Sequence, residues 1–129
     1  MGGRGADKNG GRRFSGNHSL SDNLPELTRK YPLSENGYFG SASNRTSNSR
    51  VRQIASRNPL KTASDFYRHV TTGAVSEKII PSGKTSFLRD GTVITLRKIS
   101  SSDGSPAVDI KIMTSGTVKT HKIHFVKGQ

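Results

Sequence analysis

From Lys84 to Val126 apolar and polar residues alternate, and two turn-forming dipeptides break the alternation. A period of two sorts side chains onto opposite faces of a strand. "KTSFLR", Asp90-Gly91 and "TVITLRKIS" predict one hairpin; "AVDIKIM", Ser115-Gly116 and "VKTHKIHFV" predict a second. A two-residue turn at Asp90-Gly91 sets Phe87 opposite Ile94 and Thr85 opposite Leu96. Lys84 then meets Arg97, and Ser86 meets Thr95, on the reverse side. In the second hairpin Val108 meets Ile123, Ile110 meets His121 and Ile112 meets Lys119. Its other side pairs Asp109 with Lys122 and Lys111 with Thr120, with His124 diagonal to Asp109. Each hairpin therefore has an apolar face and a charged face.

The stretch before the hairpins has helical period. In "NPLKTASDFYRHVTTG" Asn58 is a cap, Pro59 suits the first turn and Gly73 suits the end. Leu60, Ala63, Phe66, Tyr67 and Val70 make one apolar stripe, fitted to cover the greasy face of the sheet. The expected fold class is α+β: one or two helices on a roughly four-stranded antiparallel sheet, with a disordered N-terminal arm. "SDNLPELTRK" predicts a short helix capped by Asp22 or Asn23, with Pro25 in its first turn. "YPLSENGYFG" reads as a segment lying along the surface, and "RVRQIAS" is compatible with helix or strand. The expected organisation is a basic arm over 1–19, an entry segment over 20–40 and the main domain over 41–129. The arm, "MGGRGADKNGGRRFSGNHS", holds one large apolar residue and suits loose phosphate contact.

The charge balance points to a polyanionic partner. The chain carries 21 Lys and Arg against 9 acids, a net charge of +12, which favours nucleic acid over an anionic membrane surface. There is no cysteine, hence no disulfide or thiolate metal site, and no apolar run long enough for a membrane span. The basic N-terminus lacks the apolar stretch of a signal peptide. "SGKTS" at 82–86 fails as a phosphate loop, because Lys78 stands where that motif needs glycine and a strand follows. "NHS" and "NRT" match the glycosylation acceptor pattern only by composition.

The charged face is where chemistry is expected. It gathers Lys84, Thr95, Arg97, Asp109, Lys111, Thr120, Lys122 and His124. His121 and His124 are three residues apart on a strand and point to opposite faces, so a shared metal is disfavoured and no cofactor is expected. His121 reads as structural, and His124 as the chemical candidate.

"FLRDGTVITLRKISSSDGSPAVDIKI", followed by "KTHKIHF", resembles the C-terminal nuclease toxin domains of bacterial polymorphic toxins, also found on phage head-associated proteins. The matching pieces are D-G-T-x-I-x-x-R, S-x-S-D-G-x-P-A-V-D-I and K-I-H-F, and the resemblance spans residues 31–126. The leader "MGGRGA" is similar to small phage-encoded proteins in glycine and arginine alone. The resemblance implies a metal-independent ribonuclease of the barnase–EndoU–colicin–RelE type, with a helical portion behind a sheet whose open face cuts RNA, tRNA being one candidate. It also implies bacterial competition: action in a bacterial cytoplasm, delivery from another cell or by a phage, and an acidic immunity protein as partner.

Metal-free RNA cleavage uses the ribose 2′-hydroxyl as nucleophile and leaves a 2′,3′-cyclic phosphate. It needs a base, an acid and cations around the phosphorane. In that scheme His124 is the acid or base, Arg97 grips two phosphate oxygens and Lys122 adds a point charge. Asp109 pairs with Lys122 or orients His124. Thr95 and Ser102 bond a phosphate oxygen, while Lys84, Lys111, Thr120 and Ser100 hold the substrate; Ser100 and Ser102 equally suit a plain turn. The rival expectation is a non-enzymatic nucleic-acid-binding or phage accessory protein using the same surface.

Overall fold

Asn58 caps the longer helix as its sequence requires: its side chain accepts the Lys61 N–H at 3.3 Å. In the computed structural model, which describes residues 18–43, 46–99, 104–114 and 116–128, this helix (α2) spans Pro59–Val70. Ala63, Phe66, Tyr67 and Val70 are buried, but Leu60, in the first turn, is 42% exposed and leaves the expected stripe. The other helix (α1) spans Leu20–Lys30 and is capped by Ser19 rather than Asp22 or Asn23. Ser19 Oγ accepts the Asp22 N–H, Asp22 Oδ2 accepts the Ser19 N–H at 2.9 Å, and the reciprocal pair forms a capping box. Pro25 consequently lies inside the helix, past the first turn. Asn23 instead turns inward, and its Nδ2 donates to Val70 O and Thr72 O at 3.0 and 2.9 Å. It thereby satisfies carbonyls that the end of α2 leaves open.

The class is α+β, but the sheet is larger than four antiparallel strands. Seven strands run in the order β1-β2-β7-β6-β5-β4-β3: β1 Ser41–Ala42, β2 Val51–Ser56, β3 Ser76–Ile80, β4 Gly83–Phe87, β5 Val93–Arg97, β6 Ala107–Lys111 and β7 His121–Lys127. The expected four are β4 to β7. "RVRQIAS" resolves as β2, which pairs parallel to β7, so the sheet is mixed. Every other pairing is antiparallel. The helix α2 connects β2 on one side of the sheet to β3 at the far edge. It thereby lays its buried stripe against Ile94, Leu96, Ile110, Ile123 and Phe125. Phe66 is central to this layer, its ring centre 5.1 Å from Tyr31, 5.2 Å from Phe39 and 5.8 Å from Phe125.

The first hairpin closes one residue differently from the two-residue reading. Leu88 N–H donates to Thr92 O at 2.9 Å, so the loop is Arg89-Asp90-Gly91, with Gly91 at φ +90°. This is the three-residue alternative, in which a positive-φ glycine ends the loop. Phe87 therefore meets Val93, Ser86 meets Ile94, Thr85 meets Thr95 and Lys84 meets Leu96. A slip of one residue reverses the faces of a strand. Phe87 and Thr85 lie on the face away from the helices. Ser86 and Lys84 lie on the helix side, where Ser86 is buried and within hydrogen-bond reach of Tyr67 Oη. The second hairpin keeps three of its expected pairs, Val108 opposite Ile123, Asp109 opposite Lys122 and Ile110 opposite His121, but the ladder stops there, short of the expected Lys111–Thr120 and Ile112–Lys119 pairs.

"YPLSENGYFG" is not a surface strap. Tyr38 and Phe39 are buried, and Phe39 N–H donates to His121 Nε2 at 3.0 Å. The other ring nitrogen, Nδ1, lies 2.6 Å from Lys119 O, which fixes the tautomer with the proton on Nδ1. His121 is thus a satisfied structural histidine that ties the segment before β1 to β7. Burial, opposed by the Lys119 carbonyl and reinforced by Arg52, holds its pKa below the ordinary value of 6.5. The basic arm lies outside the described residues up to position 17, and so do Asn17 of one glycosylation tripeptide and Asn44 and Arg45 of the other.

Candidate active site

The face away from the helices is assembled by register. One cross-strand row runs Gly83, Arg97, Ala107, His124, Gln53 and Ser41. The next runs Thr85, Thr95, Asp109, Lys122 and Val51. Partners opposite one another share a face, so Thr95, Arg97, Asp109, Lys122 and His124 stand together. Lys111, opposite Val93 and exposed, extends the group by one row.

Arg97 is held from two sides. Its Nε donates to Asp109 Oδ2 at 3.0 Å, and a terminal nitrogen reaches Ser82 Oγ at 3.4 Å. Asp109 is therefore the partner of Arg97, and it makes no ion pair with Lys122 although the two residues face one another. The guanidinium fork gives a better match to a carboxylate than an ammonium does. The Arg97 side chain remains 40% exposed. Thr95 Oγ1 lies 3.1 Å from Thr85 Oγ1, a contact that exists because of the shifted register of β4.

His124 sits on this face but is nine-tenths buried, at 7% exposure. Its Nδ1 is 3.0 Å from Ser105 Oγ, so a serine and not Asp109 orients the ring. Between Arg97 and His124 in their row lies Ala107. Two strand spacings put the two backbones roughly 10 Å apart, with the fully buried alanine between the cation and the imidazole.

Two predicted substrate residues lie elsewhere. Lys84 is on the helix side, for the reason of register given above. Thr120 lies beyond the end of the β6–β7 ladder, where its hydroxyl accepts the Ile112 N–H at 2.9 Å. Ser100 and Ser102 lie outside the described residues. Sequence reading missed Ser82, Thr85 and Ser105. Ser105 was within reach, since "GSPAV" runs straight into β6 beside the strand that carries His124.

Among the described residues no group of three or more His, Asp or Glu is placed to hold a metal, and no helix is long and apolar enough to cross a membrane. No family model, curated protein or solved structure matches the chain.

Proposed function

We propose that this protein is a metal-independent endoribonuclease toxin domain whose active face is the open side of the sheet. The observation that carries the reading is the row in which Arg97 and His124 flank Ala107, with Asp109 gripping the arginine from the next row. A phosphodiester brought to this row meets the chemistry that cleavage needs. The ribose 2′-oxygen attacks the adjacent phosphorus and loses its proton; the P–O5′ bond breaks, and O5′ gains a proton. His124 serves one of these two proton transfers, its ring set by Ser105. Arg97 offers paired donors to the equatorial oxygens, pre-oriented by Asp109, and Lys122 adds positive charge beside them. Lys111 continues the cationic surface along the strand. The same surface calls for an acidic immunity protein in any cell that makes the domain.

Total RNA incubated with the protein in EDTA tests this reading. Cleavage by the wild type, lost in His124→Ala, is the expected result. Tight RNA binding with no cleavage by either protein sinks the enzyme and favours a nucleic-acid-binding role for the face.

A further inference from the structure

The slip in β4 that removes Lys84 from the open face delivers it to a second basic site. Behind the sheet, between α2 and the strands β4 and β5, is a cleft of about 480 Å³. Lys61, Ser64 and Arg68 reach it from one side of α2, and Lys84 and Lys98 from the strands. Lys84 faces Leu96, so Lys98, two residues further along, is its diagonal neighbour on the same side. The one carboxylate in the lining, Asp65, is already saturated. It takes Lys30 Nζ at 2.8 Å, Arg68 at 3.0 Å and the Tyr31 hydroxyl at 2.6 Å. Among the described residues, no carboxylate lies within 4.0 Å of the amino groups of Lys61, Lys84 or Lys98. Three ammonium groups without a carboxylate partner among the described residues line one concavity, a setting that favours an anion.

The cleft also adjoins the open face. Arg97 and Lys98 are consecutive and point to opposite sides at the end of β5. Ser82, in the turn between β3 and β4, bridges them: its hydroxyl reaches Arg97, and its carbonyl accepts the Lys98 N–H at 2.9 Å. We infer that a single-stranded RNA bound at Arg97 continues over this rim and seats its flanking phosphates in the cleft, on Lys61, Lys84 and Lys98, with the Ser64 hydroxyl as a neutral donor. This rests on the RNA reading of the open face and adds to it a site that positions substrate without touching the scissile bond.

The test is binding of a labelled, 2′-O-methylated oligoribonucleotide of about 12 nucleotides, which cannot be cut and so reports on the cleft whether or not the protein is a nuclease. Each phosphate contact with a single strand contributes about 0.7 to the salt slope. The triple variant Lys61→Gln, Lys84→Gln, Lys98→Gln should therefore lose about 2 from the slope and about 100-fold in affinity near 0.1 M salt. A dinucleotide, too short to span the rim, should bind both proteins with the same slope. The control Arg50→Gln, Lys119→Gln, Lys127→Gln removes equal charge at exposed positions elsewhere and should keep the wild-type slope for the long oligomer. The inference is overturned if the cleft variant keeps the full slope, or if the control loses as much. It is equally overturned if the cleft variant loses affinity for polyglutamate but not for RNA, since the cleft then serves an acidic protein. A wild type that binds with the expected slope yet leaves unmodified RNA intact removes the nuclease reading alone.

Discussion

Replacing His121 with leucine keeps the volume of a buried side chain and removes its two hydrogen bonds. The imidazole is 3% exposed and accepts the N–H of Phe39, which has no exposed surface. That N–H is left without a partner in the variant, at about 1–3 kcal/mol. The Lys119 carbonyl belongs to an exposed residue and can turn to water. We therefore expect a loss of about 2 kcal/mol near pH 7.5, or roughly 8 °C in Tm for a domain of this size. The pH dependence is the sharper readout. Because burial depresses the folded pKa, the stabilisation is complete above the unfolded value of 6.5 and declines as pH falls through 6.5 toward the folded value. Between about pH 7.5 and 5.5 this group accounts for a loss of at most about 1.4 kcal/mol, the ceiling set by a ring that stays neutral when folded. Urea denaturation of both proteins at the two pH values measures it. The wild type should lose more stability on acidification than the leucine variant. Equal losses would refute the claim that a buried neutral imidazole pins the segment before β1 to β7.

Other consequences are as direct. A Cβ on Gly83 would collide with the Leu96 carbonyl oxygen, so Gly83→Ala should cost about 1–3 kcal/mol. Gly116→Ala, with nothing within 4 Å, should cost under about 0.5 kcal/mol by the same denaturation assay. Burial works to raise the pKa of Asp90, but its hydrogen bonds from Thr92 and the Leu20 N–H lower it below 3.8. That stabilisation is present above about pH 3.8 and lost as pH falls through the folded value, so Asp90→Asn should flatten the acid limb of the stability curve. Arg97→Lys keeps the charge and loses the fork held by Asp109, and should lower kcat for RNA about 100-fold with little change in KM.

The meander from β4 to β7 was legible because its alternation is strong and each turn has a glycine. Its first register was not, because Asp-Gly suits both a two-residue and a three-residue loop. The deciding residue was Leu88: placing it inward, as the structure does, flips Phe87 outward and Lys84 to the helices. The edge strands were harder to read. "SEKII" does not alternate, and β2 is fixed by parallel pairing with a strand some seventy residues later in the chain, which no local pattern encodes. At the candidate site, Arg97, Asp109, Lys122 and His124 follow from strand parity alone. Their partners do not, because which neighbour an acid or imidazole chooses depends on loop geometry. Asp109 chose Arg97 over Lys122, and His124 met Ser105.

The most direct test of the central claim reads the chemistry at the cut. An RNA oligomer and its fully 2′-O-methylated copy are incubated with the protein in EDTA, and the new 3′ ends are analysed. Only the RNA should be cut, leaving 2′,3′-cyclic phosphate, and His124→Ala should leave both intact. Cleavage of the methylated copy, or RNA that stays whole in the presence of bound wild-type protein, would contradict it.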